Sequence, residues 1–590
     1  MGLSRGIRPF QTSVRRGLLA ALLVSTGLLT GASPGSALPD LPPILALLSS
    51  ALGNRQPVLA AGPDLKDAGM IPPGSVIGEV RVVNQDIFDP GKPGENNRIF
   101  RIANKLHLNT RAKVIESQLL FRPGDVFSPE LIEESARLLR TNDYLYDVQI
   151  QPILRPDGKV DVQVATRDVW TLTGGASFSR SGGENNTSFE LSDTNFLGLG
   201  KEVTISRIGT VDRTSNLVRY RDPNLLGSRA RLVLSHAENS DGGRERFELE
   251  RPFYSLNTRW AAGVRAFRDD RTETLYRAGK ITDAFQHRHD LLEVYGGISP
   301  GLVAGRTQRF SFGYTYSGDR FDAAPRFPRR LIPENRTLSY PWIGYELVED
   351  QHVVEHDLNR MERSEDLNLG TQASMRLGFS SAAFGGDTDQ VILQTAATTG
   401  WRPGARQLLL ANYGGATRWG SDGTENLVAG GRLRWYARTF GDHLFYASLG
   451  ADLAERLDDE DQLLLGGDSG LRGYPLRYQE GDRRVLLTLE QRFFSGRELF
   501  HLVHVGAAVF FDAGKAWFDG TPPLRLSTRR RATAPIDQQG KLLKDIGLGL
   551  RLGSSRSSRG GVVHLDAAFP LDGDTSIKSV QWLVSTSESF

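Results

Sequence analysis

The stretch GDSG at residues 467–470 contains the four residues that surround the nucleophile in many serine proteases. A chymotrypsin-like site would continue into GGP and would need a histidine base in an Ala-Ala-His-type segment upstream. Here the chain continues into LRGYP, and it has no such upstream segment. We therefore do not assign Ser469 as a nucleophile, and we take Arg472 as the informative residue of this stretch.

A second catalytic pattern is HVVEH at residues 352–356, which matches the inverted zinc-protease motif H-x-x-E-H. That motif requires a helix, because helical spacing brings His352 and His356 onto one face. The surrounding residues alternate as in a strand and its loop. The sequence also contains neither a phosphate-binding loop nor a recognisable catalytic triad. We predict that the protein is not an enzyme and that it has no metal site and no cofactor.

Arg472 gains its interest from the two strands that follow its loop. In RRVLLTLEQRFF, alternation places Glu490 on the inward face, and in VHVGAAVFFDAGKAW it places Asp512 on the inward face. The loop around Arg472 is flanked by glycines, which allow its backbone to fold back tightly. We predict that the guanidinium group folds inward and pairs with Glu490 or Asp512.

The strands that carry these acids belong to a long alternating region. From residue 172 to the end, segments of ten or so residues alternate between apolar and polar side chains and are separated by Gly, Asp, Asn and Ser. The apolar faces are rich in Leu, Phe, Tyr and Trp, and the polar faces in Gly, Arg, Asp and Glu. This inside-out pattern is typical of outer-membrane barrels, and at about 26 residues per strand and connection it predicts a mainly β protein with about sixteen antiparallel strands in residues 172–590.

Connection lengths predict which end of the barrel faces outward. The connection at 495–500 is short and that at 518–542 is long, and short turns lie on the periplasmic side of such barrels. We therefore expect the Arg472 loop to start from the outer rim. The basic run LRLSTRRRATAP at 524–535 would lie in the long outer loop, as a solvated segment or in contact with lipopolysaccharide phosphates.

Composition excludes several classes of protein. The 590 residues include 71 Lys and Arg against 69 Asp and Glu, and this balance gives no reason to expect a nucleic-acid partner. The absence of cysteine excludes disulfides, thiolate metal sites and a cysteine nucleophile. Residues 1–37 have basic residues, an apolar run and small residues at Gly35 and Ala37, which predicts a secretory signal peptide; a membrane anchor is the alternative. Residues 38–73 are rich in Pro, Leu, Ala and Gly and are predicted to be a linker.

Residues 74–171 have the pattern of a small α/β domain. VIGEVRVV alternates as a strand, and apolar residues then recur at helical spacing. A second helix starts with Ser128 as N-cap and Pro129 at the first helical position. Two strands follow, joined by RPDGK, in which Asp157-Gly158 suits a hairpin turn.

The order strand, helix, helix, strand, strand, with the phrases RPGDVFSPELIEESARLLR and YLYDVQI, resembles a POTRA domain. LRGYP resembles the arginine-glycine-aromatic motif in the sixth extracellular loop of the BamA/TamA outer-membrane family. LTLEQRFF resembles its glutamate-bearing strand and VFFDAGKAW its aspartate-bearing strand. The resemblance implies that Arg472, Gly473 and Tyr474 form the loop motif and that Glu490 and Asp512 are its inner-wall acids. The terminal Phe590 resembles the aromatic signal by which outer-membrane barrels are recognised for assembly.

This resemblance implies a protein of the bacterial outer membrane whose POTRA domain lies in the periplasm. It implies that the protein inserts or translocates polypeptides, with a lateral barrel seam that opens for the client. Its partners would be unfolded outer-membrane or secreted polypeptides, outer-membrane lipids and lipopolysaccharide, and periplasmic chaperones. The single POTRA domain departs from the several of the best-known insertases. A dedicated two-partner-type secretion pore and a passive outer-membrane channel therefore remain as alternatives.

Overall fold

The computed structural model describes residues 58–59, 71–91, 96, 98–324, 332–359, 361, 364–499, 503–519, 540–554, 562–573 and 577–587. The predicted signal peptide at 1–37, most of the linker at 38–73, the basic run at 524–535 and Phe590 lie outside these residues.

An N-terminal α/β domain precedes the large sheet. Its elements are β1 (Ile77–Gln85), α1 (Arg98–Leu106), α2 (Ala112–Glu116), α3 (Pro129–Arg140), β2 (Leu145–Leu154) and β3 (Val160–Asp168). Strand β3 lies in the middle of the three-stranded sheet, parallel to β1 and antiparallel to β2. The sequence indicated two helices, and the short α2 is an addition.

Helix α3 forms because its ends and one face are specified locally. The Ser128 hydroxyl accepts a hydrogen bond from the Leu131 N–H, and Pro129 occupies the first helical position. Ile132, Ala136 and Leu139 form one stripe and are fully buried against the sheet. The domain therefore has a core of its own.

In the part of the chain that the structure describes, the second unit is a closed antiparallel barrel of twenty strands, with a two-residue strand, Leu302–Val303, in one of its turns. The first ten are β4 (Leu172–Ser181), β5 (Glu184–Asp193), β6 (Glu202–Gly209), β7 (Thr214–Asp222), β8 (Arg231–Asn239), β9 (Gly242–Arg251), β10 (Trp260–Arg277), β11 (Lys280–Ile298), β12 (Arg306–Ala323) and β13 (Arg336–Glu349). An inserted hairpin, β14 (His352–His356) and β15 (Ser364–Asn368), follows outside the barrel sheet. The other ten barrel strands are β16 (Gln372–Ser380), β17 (Gln390–Gly404), β18 (Gln407–Gly420), β19 (Gly423–Arg438), β20 (Leu444–Glu455), β23 (Arg483–Leu499), β24 (Val503–Trp517), β25 (Leu543–Ser554), β26 (Val562–Pro570) and β27 (Gln581–Ser587).

The expected number of about sixteen strands was wrong. The expectation assumed a uniform length of strand plus connection over residues 172–590. The first six strands instead fit into residues 172–251, because they are only eight to ten residues long and several are joined by very short turns. The additional strands come from this first part of the barrel, where the strands and turns are short.

The barrel has the predicted inside-out distribution of side chains. On β12, Phe310, Phe312 and Tyr314 are exposed on the outer surface, whereas Thr315 and Ser317 of the same strand are buried inside. Alternate residues of a strand point to opposite faces, so one face meets an apolar surrounding and the other lines the interior. Among the residues described, no helix is long and apolar enough to cross a membrane.

The α/β domain packs against the turns at one end of the barrel. The Arg229 guanidinium donates to the Leu119 carbonyl at 2.8 Å, and the Leu256 N–H donates to the Glu134 carboxylate at 2.6 Å. Burial raises the pKa of the Glu134 carboxyl, while the hydrogen bond from Leu256 lowers it. Strand alternation then places the connection at 456–482 at the opposite end of the barrel.

Two segments enter the barrel interior. From the end opposite the α/β domain comes the connection at 456–482, which forms a small hairpin of β21 (Leu463–Leu465) and β22 (Gln479–Gly481). From the other end comes the hairpin of β14 and β15, whose Leu358 and Leu367 pack against Tyr436 and Leu444 of the wall. The interior of this barrel is therefore substantially filled by its own chain.

The barrel closes where its last strand, β27, meets its first, β4. Between the described residues, Val584 opposite Arg180 is the single directly opposed pair at this junction. By contrast, β27 makes seven such pairs with β26, and β4 makes ten with β5. We call the junction of β27 and β4 the seam.

Candidate functional site

Arg472 lies inside the barrel, at the tip of the 456–482 loop. Its Nε and Nη2 donate to the two carboxylate oxygens of Asp512 at 2.7 and 3.1 Å. Its Nη1 donates to Glu490 at 2.9 Å. The guanidinium carbon lies 3.3 Å from the centre of the Phe510 ring, so the group is held between a ring face and two acids. The structure thus brings Arg472, Glu490 and Asp512 together.

The geometry is that of a dry, charge-assisted clamp. The Arg472 side chain is 14% exposed, that of Glu490 5% and that of Asp512 0%. A bidentate pair fixes the plane of the guanidinium as well as its position. Little water reaches these groups, so removal of one partner would leave a buried, unpaired charge. We call Arg472 with its two acids the loop clamp.

Further charged residues surround the loop clamp. Asp566 lies 3.6 Å from Arg472 and also pairs with Arg551, and Arg492 donates to Glu490 at 3.0 Å. Sequence analysis did not connect Asp566 or Arg551 with Arg472. The signal was available in the inward parity of both residues, since β23 to β26 are neighbours and their inward side chains converge.

Asp545 is a member of the site that sequence reasoning missed. It lies directly opposite Asp512 on the neighbouring strand, where two like charges would repel. Its carboxylate accepts a hydrogen bond from the Gly473 N–H at 3.0 Å. A Cβ at residue 473 would come within 2.6 Å of the Asp545 Cβ, so the loop can approach this strand only with glycine there.

Tyr474, the third residue of the motif, is fully buried. Its hydroxyl lies 2.8 Å from the Lys544 carbonyl oxygen and 3.0 Å from the Asp572 carbonyl oxygen. Its ring packs with Leu465 and Leu543. Tyr474 therefore fastens the loop to the first residues of β25 and to the connection that leads to β27.

The same loop is fastened to other parts of the barrel as well. Arg477 makes a bidentate pair with Asp212 at 2.8 and 2.6 Å and lies over the Tyr276 ring. Asp458 accepts from Arg418 at 2.6 Å. Both ends of the loop are thus pinned around the barrel circumference.

The inserted hairpin reaches the site from the other side. Arg492, which pairs with Glu490, also donates to the Leu358 carbonyl at 2.7 Å. Both segments that fill the interior are therefore connected through Glu490.

The two sequence patterns considered for catalysis adopt other roles. The Ser469 hydroxyl is buried, and it accepts from the Gly466 N–H at 2.7 Å and donates to the Gly466 carbonyl at 3.2 Å. This side chain therefore stabilises the turn that leads to Arg472. HVVEH forms strand β14, so His352 and His356 lie on the opposite face from Glu355 and lack the helical spacing that the zinc-protease motif requires.

Comparison with known proteins identifies the N-terminal unit. Residues 102–167 match the family model of the POTRA domain, described as a surface antigen variable number repeat. The matched range runs from α1 to the end of β3, so the predicted POTRA-type domain is confirmed. No curated protein matches the chain.

Three solved structures show a distant likeness in fold. BamA from Haemophilus ducreyi lacking POTRA domains 1–3 has a TM-score of 0.38 and 13% identity, over 88% of this chain and 85% of that chain. CdiB from Escherichia coli has a TM-score of 0.42 and 13% identity, over 87% and 76%. CdiB from Acinetobacter baumannii has a TM-score of 0.37 and 10% identity, over 98% and 97%.

The chain therefore combines one POTRA-type domain with a closed antiparallel barrel. This architecture supports the predicted resemblance to the BamA/TamA-type outer-membrane family.

Proposed function

We propose that the protein is an outer-membrane insertase or translocase that acts on polypeptides through the barrel seam. The observation that carries this proposal is the single directly opposed pair, Val584 with Arg180, between β27 and β4. This pair lies toward the outer end of β4, which begins at Leu172 beside the POTRA-type domain. Among the residues that the structure describes, no second directly opposed pair joins β4 to β27.

A poorly paired seam has a specific physical consequence in a membrane. Backbone N–H and C=O groups cannot hydrogen-bond to lipid, so strand edges there are costly until another strand pairs with them. An incoming polypeptide in extended form satisfies these groups by adding a strand. The seam thus favours client strands over other ligands.

The POTRA-type domain supplies the capture step of the proposal. Its strand β2 is an outer strand of the three-stranded sheet, and outer strands receive extended peptides by strand addition. The hydrogen bonds from Arg229 and Leu256 hold this domain next to the barrel turns. A captured client would therefore be delivered close to the near end of the seam.

The loop clamp supports the same mechanism by holding the wall beside the seam. Through Arg472 and Gly473, one loop contacts inward side chains of the consecutive strands β23, β24, β25 and β26. A wall braced in this way keeps its register while the adjacent junction opens.

Depletion of the protein followed by a quantitative census of outer-membrane and secreted proteins tests this function. The expected result is the loss of several barrel proteins, restored by the wild-type chain and not by Arg472→Ala. Loss of one secreted species would instead identify a dedicated secretion pore. An unchanged census with altered solute permeability would contradict the proposal and identify a passive channel.

A further inference from the structure

Two histidines and an aspartate meet on the inner wall, away from the loop clamp. His287 and His289 are two residues apart on β11 and so share its inward face, and Asp319 lies directly opposite His289 on β12. Their exposed fractions are 5%, 2% and 6%. Buried titratable groups in this arrangement are not required by the proposed function.

Both imidazole rings point at the same carboxylate oxygen. His287 Nε2 lies 3.0 Å and His289 Nδ1 lies 2.7 Å from Asp319 Oδ1. One donor atom from each residue lies within 4.8 Å of the others. The His287 ring also stacks on Phe321, with centroids 4.5 Å apart, and this contact fixes the orientation of the ring.

We propose that His287, His289 and Asp319 form a binding site for Zn²⁺ or a similar transition-metal ion. Zinc binds imidazole nitrogen at about 2.0–2.1 Å and carboxylate oxygen at about 2.0–2.2 Å, so neighbouring ligand atoms are about 3 Å apart. The two nitrogen–oxygen separations are close to that value. An ion would replace the protons that the rings now direct at Asp319.

The chemistry of the donors selects the class of ion. Two imidazoles with one carboxylate suit Zn²⁺, Cu²⁺ or Ni²⁺, whereas Mg²⁺ and Ca²⁺ prefer oxygen ligands alone. Such three-residue sites normally complete their coordination with water. The three side chains line a cavity of about 270 Å³, which has room for such a water.

The charges around the site permit a dication. Asp319 also accepts from Arg336 at 3.0 Å, and Arg336 pairs with Asp458 and Glu460 of the 456–482 loop. Arg418 pairs with Asp458 as well. Arg336 contacts Oδ2 of Asp319, whereas both imidazole rings face Oδ1, so an ion at Oδ1 can bind without displacing this arginine.

The ring nitrogens that point away from Asp319 also bear on the proposal. Within the described residues, His287 Nδ1 and His289 Nε2 are buried and have no hydrogen-bond partner. Buried imidazoles are costly unless a bound group or ordered water compensates. An ion bound between the rings and Asp319 Oδ1 would contact the other nitrogen of each ring, so ordered water is the group that would compensate these two atoms.

Binding here would affect the loop as well as the wall. Arg336 pairs both with Asp319 and with Glu460 of the 456–482 loop. An ion bound to Asp319 would therefore also restrict the motion of this part of the loop. The inference concerns a separate site, and it stands or fails independently of the proposed transport function.

Zinc titration of the purified full chain tests the site. The protein is prepared with an affinity tag that lacks histidine, stripped with chelator and titrated with ZnCl₂ by calorimetry. We expect one ion per chain, and Co²⁺ in its place should give the visible absorption of a site with nitrogen and oxygen ligands. Failure of the wild-type protein to bind one ion overturns the proposal without reference to any variant.

Two variants and one control locate the bound ion. His289→Gln and Asp319→Asn should each weaken zinc binding by more than about 100-fold, because each removes a direct ligand. His236→Gln changes a histidine whose side chain is 60% exposed, and it should leave binding unchanged. Heat-modifiable gel mobility verifies that each variant is folded. Unaltered binding in folded His289→Gln would overturn the assignment.

Discussion

The wall of strands β23 to β26 and the seam beside it are adjacent but differ greatly in how they are held. On the wall, Arg472 joins Glu490 and Asp512 through three hydrogen bonds, and neighbouring strands are paired over most of their length, with one irregularity between Phe494 and Glu498. At the seam, the described strands share one directly opposed pair. Among the described strands, a wall braced by the loop and a sparsely paired junction therefore lie within a few strands of each other.

The difference indicates that the wall and the seam have different roles within one sheet. In the proposed mechanism the seam opens reversibly, which requires the strands next to it to keep their register, and the loop clamp would supply this constraint. The same loop also reaches the first strand, because the Ser181 hydroxyl donates to the Gly467 carbonyl at 2.7 Å. The loop thus spans from the braced wall to the edge of the seam.

The largest effect should come from Arg472→Ala, because it removes the loop clamp and leaves the wall without this lateral connection. The change leaves Glu490 and Asp512 buried with reduced compensation, and breaking such a pair costs about 3–5 kcal/mol. We expect a lower unfolding midpoint in detergent, measured by loss of heat-modifiable mobility, together with loss of client assembly. Arg472→Lys keeps the charge but not the bidentate geometry, and it should recover only part of both. Wild-type behaviour of Arg472→Ala would refute the clamp.

The two acids of the clamp should then differ from each other. Asp512→Asn removes the charge of the bidentate partner, and we expect a loss of about 1.5–3 kcal/mol. Glu490→Gln should displace the loop less, because Asp512 still holds the Arg472 guanidinium, although Arg492 also loses its ion pair with Glu490. Urea unfolding midpoints of the two variants compare them directly. A greater effect of Glu490→Gln would show that the link to the inserted hairpin dominates.

A smaller effect is expected at the opposite anchor of the same loop. Arg477 and Asp212 have side chains that are 17% and 27% exposed, so water partly compensates for loss of the pair. Arg477→Ala should lower stability by about 1 kcal/mol. Proteolysis of the loop in intact membranes provides the measurement. If this variant releases the loop as readily as Arg472→Ala does, the two anchors are equivalent.

The smallest effect is expected from Ser469→Ala. The variant loses two hydrogen bonds to Gly466, which are worth about 1 kcal/mol or less in a turn held by other contacts. Client assembly should remain at the wild-type level. Abolition of assembly with unchanged stability would mean that the hydroxyl has a chemical role, contrary to our interpretation.

Parity along an individual strand assigns each side chain to one face of the barrel, but it does not show which side chains of neighbouring strands meet. Glu490 and Asp512 could be placed inward from their own strands, because alternate residues share a face. Asp545, Arg551 and Asp566 join the site through the order and register of β25 and β26, and a single sequence does not specify register across a barrel. The need for glycine at residue 473 is evident only from the structure, in which Asp545 lies against it.

The predicted number of strands was wrong for a related reason. A uniform length per strand suits the long strands β10 to β13 but not the short ones between residues 172 and 251. The α/β domain was predicted more successfully, because the Ser128 cap and the stripe of helix α3 are local signals. The meeting of His287 and His289 with Asp319 was also not predicted, because it depends on the register between β11 and β12.

Locking the seam with a disulfide tests the central claim most directly. The chain contains no cysteine, so Arg180→Cys with Val584→Cys introduces one unique pair across the junction. Leu565→Cys with Val584→Cys is the matched control, because it links β27 to its well-paired neighbour. Oxidised protein locked at the seam should fail to assemble or transport clients and should recover with reductant, whereas the control should remain active throughout. Full activity of the locked seam would contradict the account.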